Sequence, residues 1–126
     1  MSLLRAVEVR VLEEELGLYR VVPAEGSDEF ESAFCSHYEL GRPPRGPENR
    51  ATVIHMAVSM FDREDVARDL AIRVPRLGGH VARLDLQPGQ GICVAKTGGP
   101  AHWSVWGRPA QLASCVADVG HATAGP

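Results

Sequence analysis

A chain of 126 residues with 44% hydrophobic content is long enough to close one core and too short for two. Its net charge of −3, from 13 basic and 16 acidic residues well mixed, leaves no broad basic face for a phosphate backbone, which argues against nucleic acid as a partner. No apolar stretch approaches the roughly 20 residues of a membrane helix, Met1–Arg5 lacks the apolar core of a signal peptide, and Cys35, Cys93 and Cys115 read as buried free thiols in a reducing compartment, so the expectation is a soluble cytoplasmic protein.

In chain order, Val7, Val9 and Val11 alternate with Glu8 and Arg10 as in a half-buried strand. Glu13-Glu14-Glu15 makes a charged turn into a strand over Leu18 to Val22. Asp28 and Glu31 resemble a capping box for a short helix with Phe30, Ala33, Phe34 and His37 on one face, ending at Gly41. Gly41 to Arg50, with three prolines, two glycines and three arginines, predicts an irregular surface loop. Thr52 to Phe61 is a long apolar run, expected as a central strand buried on both faces.

Asp62 and Asp65 are placed to start the next helix, with Val66, Leu70 and Val74 at helical spacing and Pro75 and Gly78-Gly79 closing it. His80 to Leu86 alternates, Pro88 to Gly91 turns, and Ile92 to Lys96 and His102 to Trp106 form two more strands about the turn Thr97 to Pro100. Pro109 suits the first position of a last helix carrying Leu112, Cys115, Val116 and Val119, and Gly120 to Pro126 reads as a frayed tail. The sum is α+β: one compact domain over 1–119, mostly an antiparallel sheet with two to three helices, and a tail over 120–126.

Arg20, His55, Ser59, His102 and Ser104 are polar side chains inside apolar strands. Buried polar groups need partners, and convergence on one cleft would supply them. Arg20 suits an anion because its guanidinium can fork onto a carboxylate or pyrophosphate; equally, it could point outward or pair with a nearby acid. Trp103 shares a strand face with Val105, while His102, Ser104 and Trp106 share the other, so one indole can pack the core as the other lines a pocket. Neither a P-loop nor a Gly-x-Gly-x-x-Gly pattern occurs, and a triad of Ser59, His102 and Asp85 lacks the strand-turn-helix elbow. Metal binding lacks a motif, since Cys35 and His37 have no second pair at ligand spacing.

The Leu18-Tyr19-Arg20 strand, the Val58-Ser59-Met60-Phe61 strand end and the following helix with Ala67, Leu70 and Ala71 resemble small ADP-ribosyltransferase-like domains, a superfamily that includes bacterial toxins and RES-type NAD-degrading toxins. The resemblance spans about Leu18 to Val119. It implies an NAD-binding ADP-ribosyltransferase or NAD glycohydrolase, a toxin component with NAD as substrate and a protein acceptor or antitoxin as partner. Arg20 would then hold the phosphates, Ser59 would order the site, and Phe61 would wall the nicotinamide, with His55, Trp103 and Trp106 completing the cofactor pocket. The family's late glutamate is missing from the His102 to Trp106 strand; Glu64 is the stand-in, with His102 as the second catalytic candidate and Gln111 a weaker substitute for the acid. The alternative is a non-catalytic module that binds a small molecule or a partner, half of a homodimer.

Overall fold

The computed structural model describes residues 8–36, 39–40 and 56–123. Strands β1 (Arg10–Val11), β2 (Leu16–Val22), β3 (Val58–Phe61), β4 (His80–Leu86), β5 (Cys93–Lys96), β6 (His102–Trp106) and β7 (Val116–His121) form one antiparallel sheet in the order β1-β5-β6-β3-β2-β4-β7. Helix α1 (Glu64–Arg73) lies on one face and the short α2 (Pro109–Ser114) on the other, so the protein is α+β.

Alternation along each strand builds two apolar layers, as the period of two requires. Leu18, Val22, Val58, Met60, Leu84 and Val105 face Leu112 of α2 and Phe34; Val21 and Val81 face Ala67 and Ala71 of α1. Small alanines on α1 let it approach the sheet closely, and its outer side is laced by Arg73–Asp69 and Arg68–Glu64 pairs one turn apart.

The expected β4 is present from His80 to Leu86, and β6 has the expected ends, His102 and Trp106. Several other expectations are corrected. The helix expected from Asp28 is one 3-10 turn, Glu31–Phe34, with no side-chain cap; His37 and the 41–50 loop lie outside the described residues. β3 is not buried on both faces, because Ser59 is exposed while Val58 and Met60 are buried. Asp62 does not cap α1: the N-cap is Arg63, which grips Asp65 through Nε and Nη2 at 3.1 and 2.6 Å. The last helix stops at Ser114, and Val116, Val119, Gly120 and His121 belong to β7, so the first part of the expected tail is sheet. The three cysteines are free but half-buried rather than buried. Among the described residues no helix is long and apolar enough to cross a membrane.

Candidate functional site

Among the described residues β2 and β3 are joined by a single register pair, Tyr19↔Phe61. Beyond it the strands diverge, and a cleft of about 600 Å³ opens at the divergence, lined by Arg20, Cys35, Ser59, Phe61, Arg76 and His102, with apolar walls from Leu70 and Leu77. Four of the residues singled out in the sequence, Arg20, Ser59, Phe61 and His102, therefore meet at one place.

Arg20 sits in the gap itself. Its Nε donates to the carbonyl of Ala33 at 2.7 Å and Nη1 donates to the carbonyl of Ser59 at 2.6 Å, so it braces the 3-10 turn and β3 against β2. Burial pushes its guanidinium down to about 10, still far above neutrality, so the cleft floor carries a positive charge. Both described bonds go to backbone, which is the structural partner the sequence demanded for a cation in an apolar run.

His102 is oriented from behind. Its Nδ1 lies 2.9 Å from the carbonyl oxygen of Thr97, which can only accept, so Nδ1 carries the proton and Nε2 keeps its lone pair. Thr97 Oγ1 lies 3.1 Å from the same Nδ1 and 2.7 Å from Ser104 Oγ, which joins buried Ser104 to the ring through one hydroxyl. Desolvation, with the Arg20 charge as a smaller contributor, holds the imidazole below its ordinary value against the pull of the Thr97 carbonyl. A neutral imidazole with a fixed tautomer is a hydrogen-bond acceptor, and a base where a substrate proton comes within reach. Phe61 meets the ring edge-on at 5.5 Å between centroids. Phe61 and His102 also line a second cavity of about 390 Å³ with Val66 and Pro100.

The other candidates lie elsewhere. Glu64 is exposed on α1, pairs with Arg68 and lines none of these cavities. Trp103 packs against the α2-side core, and its Nε1 donates to Asp62 Oδ2 at 3.0 Å. Lys96 Nζ reaches the same oxygen at 3.0 Å and stands 5.4 Å from the indole centroid, a structural knot that holds the Asp62 carboxyl below its usual range, first through the Trp103 bond and then through Lys96. Trp106 is half-buried on the opposite face and is not among the cleft-lining residues. His55 lies outside the described residues. Gln111 ties α2 to the Gln90 turn, donating from Nε2 to its carbonyl at 2.7 Å.

Sequence reasoning missed Arg76 and Glu29 and read Cys35 only as a buried thiol without a metal partner. Arg76 sits in the 3-10 turn Pro75–Leu77, outside any periodic segment, and Glu29 lies just before the turn at Glu31, off the apolar face of the expected helix; each reaches the cleft through tertiary packing. Burial, then Glu39 and Glu31, push the Cys35 thiol up against the opposing effect of Arg20, so at neutral pH it is a protonated thiol and a poor nucleophile. Among the described residues no group of three or more His, Cys, Asp or Glu side chains is arranged to hold a metal. Comparison of the chain with protein-family models, curated proteins and solved structures gives no match.

Proposed function

We propose that the chain is a small-molecule-binding α+β module whose ligand pairs an anionic group with a flat ring, the chemistry of NAD and related nucleotides. The observation that carries this reading is the lining of the cleft: among the described residues, two guanidinium groups, Arg20 and Arg76, against one carboxylate, Glu29, with Phe61 and the neutral His102 ring beside them. A cleft of about 600 Å³ is within the range of small-molecule sites. Arg76 supplies the anion contact, because Arg20 already spends Nε and Nη1 on backbone carbonyls. Calorimetric titration with NAD is expected to give saturable binding, weakened about tenfold by Arg76→Ala through loss of one charge-assisted contact. No binding at millimolar NAD removes the reading.

An NAD-cleaving transferase or glycohydrolase is the second reading, and Glu29 is what favours it. An oxocarbenium-like transition state needs a carboxylate in the site, and among the described residues Glu29 is the acid that lines the cleft while Glu64 faces solvent on α1. Turnover of NAD that is lost in Glu29→Gln and kept in Glu64→Gln supports an enzyme; binding without turnover leaves the binding module.

A further inference from the structure

Antiparallel pairing of β4 with β7 sets His80 directly opposite His121, two residues that sequence spacing alone does not associate. Their rings stand 5.0 Å apart between centroids at an interplanar angle of 78°. We propose that this pair is a binding site for a divalent transition metal of the zinc, nickel or copper class, held through the two Nε2 atoms.

The spacing carries the first part of the argument. A zinc–nitrogen bond is about 2.0–2.1 Å, and the ring centre lies roughly 1.1 Å further along the same line, so two imidazoles at a tetrahedral angle have centres about 5.2 Å apart. The observed separation is 5.0 Å.

The hydrogen bonds behind the rings carry the second. His80 Nδ1 lies 2.9 Å from the Gly78 carbonyl oxygen, an acceptor only, so its proton is on Nδ1 and the Nε2 lone pair is available. His121 Nδ1 lies 2.7 Å from Thr123 Oγ1, an oxygen that can accept from a protonated Nδ1. The Thr123 backbone N–H also reaches that nitrogen, at 3.2 Å; metal binding moves the ring proton from Nε2 to Nδ1, gives up this longer contact and keeps the shorter one. At His80 the acceptor behind the ring fixes the ligating tautomer, as in metal-bound histidines, whereas at His121 the Thr123 N–H favours the other tautomer and the metal has to displace the Nε2 proton.

Position settles the coordination and the metal class. His80 is half-buried, His121 is exposed, and β7 is the last strand of the sheet, so water can complete the shell. Two neutral imidazoles prefer zinc, nickel or copper to calcium or magnesium. With two protein ligands in place of the four of a closed structural site, the dissociation constant falls on the order of 10 µM.

Isothermal titration of the full chain with zinc chloride tests the proposal, together with nitrogen-15 NMR of the histidine rings. One zinc per chain is expected, with His80→Ala and His121→Ala each weakening binding by about tenfold or more, and with the wild-type Nε2 resonances of both residues shifting together as zinc is added. Unchanged affinity in both variants would place the zinc elsewhere, the three cysteines included, and overturn the site. Absence of saturable binding at millimolar zinc would also overturn it. Should either variant fail to fold, the wild-type spectrum decides: Nε2 resonances that stay still under saturating zinc refute the proposal.

Discussion

Arg20 holds two carbonyls from turns and strands 13 and 39 residues away in the chain, and this fixes what its removal would report. Loss of two charge-assisted bonds, with the Ala33 and Ser59 carbonyls left short of a donor, costs about 3 kcal/mol, so Arg20→Ala is expected to lower the urea unfolding midpoint strongly. A midpoint equal to that of the wild type would show that the brace is dispensable. Ligand binding is therefore read from Arg76, whose guanidinium is at the exposed rim of the cleft. The sequence showed that a cation in the run Leu18 to Val22 needs partners. It could not name them, because backbone carbonyls carry no residue signature and come into reach only when β3 and the Glu31–Phe34 turn pack against β2.

At the scale of elements, legibility followed the regularity of the strands. β4 and β6 are each paired with a neighbour on both sides, and their limits could be read from the sequence. β7 could not, for a definite reason: the register shifts between Arg83 and Leu84, so that Val116 pairs with Leu84 and Val119 with Ala82. Two valines three apart thus lie over core positions two apart, the extra residue of a β-bulge imitating a helical repeat. Nearness in sequence to Ser59 does not bring Glu64 into the cleft, because the first turn of α1 holds it at the surface beside Arg68. The connection from α1 into β4 depends on Gly78, with φ +121 and a hypothetical Cβ 2.4 Å from the backbone nitrogen of Pro23. Gly78→Ala is expected to cost about 3 kcal/mol or more, from backbone strain added to a clash that no side-chain rotation relieves, and thermal unfolding measures it.

Acid sensitivity belongs to the whole molecule. His102 is held below its ordinary value in the folded state, so the unfolded chain binds the proton first as pH falls. Stability is retained above about 6.5 and declines as pH drops from there toward the lower folded value. Asp62 is also depressed, and its contribution, present above the ordinary carboxylate range, is lost at more acid pH. His102→Gln is expected to flatten the decline in Tm just below neutrality while leaving the lower, carboxylate-driven loss. An unchanged slope in the variant would remove His102 as its source.

The Tyr19↔Phe61 junction has a mechanical meaning for the sheet as a whole. β1, β5, β6 and β3 are laced together by consecutive pairs on one side, as β2, β4 and β7 are on the other, while among the described residues one register pair and the Arg20 guanidinium tie the β2 and β3 backbones together. The seven strands are therefore two ribbons stitched along a seam. Backbone pairing across that seam is sparse, and any molecule seated in the cleft would act as a further stitch, slowing amide exchange in both ribbons at once without touching most of either.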